Sequence, residues 1–157
     1  MIEGKPDQPT IDYQVVRNES QMEDAWRVRL DVFTGEQSID PDEDRDGLDE
    51  EADHVVAYLG TKPVGAGRVV YDRSGKTAKI GRMVVIREMR NRGIGRGILE
   101  RLLAIARAKG VRTAVLGAQE SASGFYERVG FVRTEETFME VGIPHVTMIR
   151  ELTTGKS

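Results

Sequence analysis

Hydrophobic residues recur along this chain with two different periods, and the changes between them predict the order of its elements. Short alternating or continuous apolar runs predict seven strands, at residues 11–17, 52–59, 64–71, 78–86, 112–116, 131–140 and 145–152. Apolar positions three and four residues apart predict two longer helices, from Gln21 (with Ser20 as N-cap) to about Thr34, and from the turn at 90–97 to about Lys109. A third, shorter helix is predicted over 121–129. This order predicts an α/β (α+β) fold with one mixed, largely antiparallel sheet of six or seven strands flanked by helices.

The remaining segments are turns and loops. Residues 1–10 hold two of the five prolines and are expected to be a loose start, whereas residues 36–51 are polar and acidic and predict a loop or short helix. With 157 residues and no repeat or linker, the chain is expected to form a single domain over residues 1–157 with its core at about 11–152.

Composition narrows the class of protein. The chain is 39% hydrophobic with a mean hydropathy of −0.42, so we expect neither an apolar signal segment nor a segment that spans a bilayer. It has no cysteine and only two histidines, His54 and His145, so we expect no disulfide, no thiolate zinc site and no other metal centre. A cytoplasmic protein without a membrane partner is the expectation.

Charge is unevenly distributed, although the net charge is only −3 and does not suggest nucleic-acid binding. From Glu36 to Asp53 there are ten acids and one base, and from Arg87 to Arg112 there are eight bases and two acids. The basic segment suits an anionic ligand. The acidic segment suits a cationic substrate, or is a solvated loop.

A glycine-rich segment carries the most chemical information. The predicted strand Ile80–Ile86 leads into Arg90-Asn91-Arg92-Gly93-Ile94-Gly95-Arg96-Gly97, which opens a helix. Free N–H groups at a helix start attract anions, and glycines let the backbone approach a phosphate closely. The spacing differs from the G-x-G-x-x-G of dinucleotide-binding folds. A Walker loop ending at Ser74-Gly75-Lys76-Thr77 is rejected because Val70 stands where its first glycine is required.

Two segments together resemble a known family. Arg90-Asn91-Arg92-Gly93-Ile94-Gly95 fits the R/Q-x-x-G-x-G/A signature of the GNAT acetyltransferase superfamily, and Gln119 to Phe131 looks like its second block, N-x-x-A-x-x-F-Y-x-x-x-G-F. The resemblance covers roughly residues 11–152. Arg29, Glu36-Gln37, Ile80-Gly81-Arg82-Met83 and Gly142-Ile143-Pro144-His145 resemble the small bacterial ElaA/YjcF-like branch.

The resemblance implies an acetyl-CoA-dependent N-acetyltransferase. By that resemblance, turn amides hold the CoA pyrophosphate and pantetheine pairs with the preceding strand. The residues that match these roles are Met83, Val84 and Val85 for pantetheine, and Arg90, Asn91, Arg92, Gly93, Ile94, Gly95, Arg96 and Gly97 for the pyrophosphate. Gln119 stands where the family often has Asn, and it can make the same contacts one methylene further out.

Transfer of an acetyl group from a thioester to a primary amine needs a proton acceptor, an oxyanion donor and an acid for the leaving thiolate. Without cysteine, direct attack in a ternary complex is expected. The resemblance implies Tyr126 as the acid, although a packed core aromatic fits the same pattern, and the backbone N–H of Val85 is the candidate oxyanion donor. The base is open between an ordered water and the side chains of Glu36, His54, Glu140 and His145.

Several alternatives remain open. Arg68 and Arg82 either point into an acceptor cleft or lie on a solvated sheet face, and Asp42 to Gly47 matches the first half of an EF-hand calcium loop. A non-catalytic acyl-CoA-binding or regulatory module is the alternative function, and a nucleotide-specific anion-binding protein is a third. The expected partner is a small-molecule amine, and the closing strands leave a homodimer open.

Overall fold

The structure, a computed structural model, describes residues 10–152, so the predicted loose start at 1–10 lies almost entirely outside the described residues. Its four α-helices are α1 (Glu19–Arg29), α2 (Pro41–Asp44), α3 (Ile94–Ala108) and α4 (Ser123–Arg128). Its seven strands are β1 (Ile11–Val15), β2 (Asp53–Leu59), β3 (Lys62–Tyr71), β4 (Thr77–Val85), β5 (Thr113–Gln119), β6 (Val132–Glu140) and β7 (Ile143–Glu151).

All seven strands form one sheet in the order β1-β2-β3-β4-β5-β7-β6. Every neighbouring pair is antiparallel except β4 and β5, which are parallel because α3 connects them as a crossover. The predicted mixed and largely antiparallel sheet flanked by helices is confirmed, with seven strands.

The two parallel strands at the centre of the sheet separate partway along their length. They pair only from Thr77–Thr113 to Ile80–Leu116, yet β4 continues to Val85 and β5 continues to Gln119. Beyond Ile80 each strand therefore has one edge without a neighbouring strand. This separation opens the sheet on the side where the glycine-rich turn follows β4.

A bulge accompanies the separation. Arg68 of β3 lies opposite Gly81, but Ala66 lies opposite Val84, so β4 has one more residue than β3 in this interval. Arg82 takes a positive φ of 53° there. Gly67, on the shorter strand, leaves room for the bulged strand, because a Cβ at Gly67 would lie 2.7 Å from the Met83 sulfur.

The helices cover both faces of the sheet. The apolar side of α3 is buried, and Gly65 and Gly67 of β3 let it approach closely, since a Cβ on either would lie 2.9 Å from the Ile98 side chain. On the opposite face, α1 and the acidic segment lie over Arg68, the next residue of β3. None of the helices within residues 10–152 has the length and apolar character needed to cross a bilayer.

The first helix differs most from its prediction. Its N-cap is Asn18, whose side chain accepts a hydrogen bond from the Gln21 N–H, so the predicted Ser20 cap is wrong. After Arg29 the chain continues as a wider π-helical turn, Leu30–Glu36. The helix α3 begins at Ile94 because Gly93, with φ of 82°, turns the chain immediately before it.

Candidate active site

A cleft of about 310 Å³ lies where β4 and β5 separate. The π-helical segment and α2 line one side, the exposed edges of β4 and β5 form its floor, and α4 and the β6–β7 hairpin close the other side. The residues of the cleft that carry polar or titratable side chains are Gln37, Glu43, Asp44, Lys79, Arg82, Arg90, Gln119, Tyr126, Glu140 and His145. The structure thus brings Tyr126, His145, Gln119 and the end of β4 together at one cleft.

The main chain of β4 presents a donor to this cleft. Ile86 donates to Val64 O at 3.0 Å, so the pair Gly65–Val85 is a non-hydrogen-bonded one and the Val85 N–H points away from β3. The same alternation makes Val84 and Ala66 a hydrogen-bonded pair. Val85, which was predicted as an oxyanion donor, has a free N–H toward the cleft. The main chain of Val84, which was predicted to pair with pantetheine, is taken by β3.

The glycine-rich turn (residues 90–97) leaves a run of amides open. Within residues 10–152, no acceptor for the N–H groups of residues 91–96 is present, and the first helical bond of α3 is Gly97 N–H to Gly93 O at 3.0 Å. Asn91 and Gly93 both have positive φ, 65° and 82°, which curves the backbone so that successive amides face outward. The side chains of Arg92 and Arg96, two residues of this run, are exposed. The arrangement suits a diphosphate.

Some side chains of the glycine-rich turn have other partners. The Arg90 guanidinium forms a bidentate pair with Glu36 at 2.6 and 2.7 Å and donates to Val85 O at 2.9 Å, so it lies at the cleft and not at a phosphate site. The Ile94 side chain is buried in the core. Gly97 makes room for the Tyr13 ring, whose Cε1 would lie 2.7 Å from a Cβ there. The burial of Ile94 agrees with its place on the apolar stripe of the helix, whereas the partners of Arg90 and the close approach of Tyr13 to Gly97 were not indicated by the sequence.

Gly95 joins the turn to the rest of the site. A Cβ on Gly95 would lie 3.5 Å from the Phe125 ring of α4 and 3.8 Å from a methyl of Val85. The open amides, the free edge of β4 and α4 therefore meet at one point.

Tyr126 is half-buried on α4 and lines the cleft. Its ring packs edge-to-face against Phe125 and Phe131, with centroid distances of 4.9 and 6.0 Å. Burial raises the pKa of Tyr126 to about 12, so its phenol stays protonated at neutral pH and can donate a hydrogen bond. Both functions considered for Tyr126, packing and donation, are compatible with this position.

The candidate bases differ in what their neighbours allow. His145 is buried beside the cleft, and its Nδ1–H donates to Ile143 O at 2.7 Å, which leaves Nε2 as an acceptor. The Glu36 carboxylate is held by Arg90, whose hydrogen bond lowers its pKa and makes it a poor proton acceptor. Glu140 lines the cleft and is exposed. Gln119 donates to Gln37 at 3.3 Å across the cleft.

Opposite α3, three arginines and three aspartates form an arginine–aspartate cluster, which sequence reasoning missed: Arg29, Asp44, Asp46, Asp49, Arg68 and Arg82. Arg29 is only 1% exposed and binds Asp44 and Asp49, both at 3.0 Å. Burial alone would raise the pKa of Asp49, but hydrogen bonds from Arg29 and Trp26 outweigh it and hold that pKa low. The charges of the six groups cancel.

The cluster corrects several expectations. Arg68 is buried, binds Asp46 and Asp49 and is not among the residues that line the cleft, so neither the acceptor cleft nor the solvated sheet face considered for it is correct. The acidic segment is engaged by these arginines, which disfavours both a freely solvated loop and a calcium loop, and no three metal-ligating side chains converge within residues 10–152. His54 is buried, its Nε2 lies 2.9 Å from Asp49 O, and burial lowers its pKa, so it is a structural residue.

A family model described as an acetyltransferase (GNAT) domain matches residues 16–152. Among curated proteins, the chain is 37% identical over 138 residues to the uncharacterized N-acetyltransferase YjcF of Bacillus subtilis, covering 87% of this chain and 97% of YjcF. It is 31% identical over 137 residues to ElaA of Escherichia coli, covering 85% of this chain and 89% of ElaA. The predicted resemblance to the ElaA/YjcF-like branch is confirmed.

Solved structures agree with this result. The crystal structure of E. coli ElaA superposes with a TM-score of 0.81 at 27% identity, covering 90% of this chain and all of ElaA. An acyl-CoA N-acyltransferase from Pseudomonas aeruginosa superposes with a TM-score of 0.77 at 28% identity, covering 90% of this chain and 99% of that one.

Proposed function

Since this chain belongs to the GNAT acetyltransferase family and is an acyltransferase, we propose that it transfers an acetyl group from acetyl-CoA to a primary amine by direct attack in a ternary complex. The observation that carries the proposal is the run of open amides at residues 91–96, directly beyond the free edge of β4. The acceptor is a small molecule that enters the cleft between α2 and the β6–β7 hairpin.

The open amides supply the binding energy for the cosubstrate. Backbone N–H groups at the start of α3 bind the pyrophosphate, with Arg92 and Arg96 screening its charge. The thioester arm then runs along the edge of β4, where Met83 and Val85 are the main-chain partners, because the Val84 backbone pairs with β3. This direction leads the thioester toward the Tyr126 hydroxyl.

In the reaction, the amine nitrogen forms a bond to the thioester carbon and the carbon–sulfur bond breaks. The Val85 N–H stabilises the negative charge that develops on the carbonyl oxygen. The amine proton passes to a water or to Nε2 of His145, and the thiolate accepts a hydrogen bond from Tyr126. A simple thiol has a pKa of about 8.5, well below that of Tyr126, so donation of a hydrogen bond to the sulfur requires less energy than full proton transfer from the phenol.

A non-catalytic acyl-CoA-binding module is less well supported, because a phenol, a free backbone donor and a histidine with an open nitrogen line one cleft. Membership of the GNAT acetyltransferase family also favours an enzyme over a non-catalytic binding module.

The test measures free-thiol release from acetyl-CoA across a panel of amines. Tyr126→Phe is expected to lower kcat about 100-fold, while the affinity for CoA changes less than about threefold. Tyr71→Phe is the matched control, because its hydroxyl binds Asp53 away from the cleft and its loss should leave kcat unchanged. An unchanged kcat in Tyr126→Phe would remove Tyr126 from the mechanism, and no thiol release with any amine would favour the non-catalytic module.

A further inference from the structure

Arg82 has an unusual backbone for its position. Four non-glycine residues within 10–152 have positive φ, and three of them, Ser38, Asn91 and Val141, lie in turns or loops. Arg82 alone lies within a strand. A left-handed conformation is disfavoured for a residue with a Cβ, so it persists only where the surroundings hold it.

The Arg82 side chain is bound to the acidic segment at several points. Its Nε lies 2.9 Å from Asp44 Oδ1, and its Nη2 lies 3.0 Å from Asp44 O and 3.2 Å from Asp46 Oδ2. These partners are fixed in turn, because Arg29 binds Asp44 at 3.0 Å and Arg68 binds Asp46 at 2.6 Å. The Arg82 guanidinium therefore binds two aspartates whose positions are fixed by other arginines.

The left-handed residue decides which N–H groups face the cleft. With the bulge at Arg82, Ile86 takes the hydrogen-bonded place opposite Val64, and the Val85 N–H stays free. In a strand without the extra residue, Val85 would move into the place of Ile86 and donate to Val64 O. The oxyanion donor would then be lost to the sheet.

We propose that Arg82 is a positioning residue for acyl transfer: its pairs with Asp44 and Asp46 hold the β4 bulge, and the bulge turns the main chain of Met83 and Val85 toward the cleft. The proposal rests on the function proposed above and assigns to the acidic segment a role in shaping the CoA site. Arg82 lines the cleft, and the role assigned to it here acts through the bulge and not through a contact with substrate.

A comparison of Arg82→Gly with Arg82→Ala tests the proposal, because both remove the guanidinium but only glycine adopts positive φ freely. We expect Arg82→Gly to bind CoA about 10-fold more tightly than Arg82→Ala in a calorimetric titration, a difference of about 1.4 kcal/mol. The kcat values for thiol release should follow the same order. Glycine normally weakens a strand more than alanine does, so a role of Arg82 in stability alone predicts the opposite order.

A second experiment does not depend on the alanine variant folding. Asp46→Asn should weaken CoA binding about threefold in the wild-type chain. It should have no effect on CoA binding in the Arg82→Gly chain, where Asp46 still binds Arg68 but no longer contacts residue 82. Equal affinities of the Gly and Ala variants, tighter binding by the Ala variant, or the same effect of Asp46→Asn in both backgrounds would overturn the positioning role. A wild-type chain that binds no CoA would instead overturn the proposed function.

Discussion

The glycine-rich turn and the arginine–aspartate cluster are both rich in charged and polar groups, yet they use them in opposite ways. In the turn, the amides of residues 91–96 have no acceptor within the described part of the chain, and Arg92 and Arg96 are exposed. In the cluster, Arg29, Arg68 and Arg82 are each paired with aspartates at 2.6–3.2 Å. Donors left open can bind a ligand, whereas donors already paired hold the chain in shape.

The difference between the two regions arises from burial. A buried charge without a partner costs several kcal/mol, so Arg29 and Arg68 require carboxylates next to them. An exposed backbone amide is hydrogen-bonded to water, so it can lack a protein acceptor with little loss of stability and remain available to a ligand. The two regions meet at the end of β4, where the cluster holds Arg82 and the turn begins a few residues later.

The largest expected effect comes from breaking the cluster. Arg29→Met keeps the bulk of the side chain but leaves Asp44 and Asp49 short of a partner, and it should lower the free energy of unfolding by about 3 kcal/mol in a urea titration. Arg96→Met is the matched control, since Arg96 pairs with Glu100 in solvent, and it should cost less than about 0.5 kcal/mol. A similar small cost for both variants would show that the cluster does not stabilise the fold.

The second-largest effect is expected from a pair of glycine variants that distinguish backbone strain from loss of CoA binding. Gly93→Ala and Gly75→Ala both place a Cβ at positive φ, 82° and 74°, with no atom within 4 Å, so each should cost about 1–2 kcal/mol in stability. Only Gly93 precedes the open amides. Calorimetry should therefore show about 10-fold weaker CoA binding for Gly93→Ala and unchanged binding for Gly75→Ala. Equal CoA affinity in the two variants would argue against a site at the turn.

The smallest expected effect is a pH dependence of the cluster. The hydrogen bond from Arg68 lowers the pKa of Asp46 from 3.8 to about 2. A carboxyl with a depressed pKa in the folded state stabilises the fold above pH 4, and this contribution is lost as the pH falls toward 2. Because Asp46 is partly exposed, we expect this contribution to the free energy of unfolding to be only about 1 kcal/mol.

Urea titrations between pH 5 and pH 2 measure this contribution. Asp46→Asn should be less stable at pH 5 and should lose less stability than the wild type on acidification. Parallel stability curves for the two proteins would contradict the assignment of the low pKa to Asp46.

Periodicity was enough to predict the strands, α3 and the order of these elements along the chain, because most of them have a buried face with a regular spacing. The Asn18 cap and the π-helical turn depend on individual hydrogen bonds, which the pattern does not resolve. Arg29 offered a signal that was not used: a charged residue on the apolar stripe of a helix, preceding a segment with ten acids, indicates a buried ion pair.

The parts of the site that are formed by backbone groups could be predicted from the sequence. The parts that depend on side-chain pairs could be predicted less well. The open turn amides follow from the glycine spacing and helix start. Arg90 and its partner Glu36 are 54 residues apart in sequence. Arg82 and its partner Asp44 are 38 residues apart, so only the fold brings the members of each pair together. The small-molecule amine acceptor and the possible homodimer stay predictions.

The most direct test of the central claim is a map of backbone amide chemical shifts during titration of the chain with CoA. The account predicts that the largest changes fall on residues 91–96, with further changes at Met83 and Val85 on the free edge of β4. Amide shifts confined to other parts of the chain, or a spectrum that CoA leaves unchanged, would contradict it.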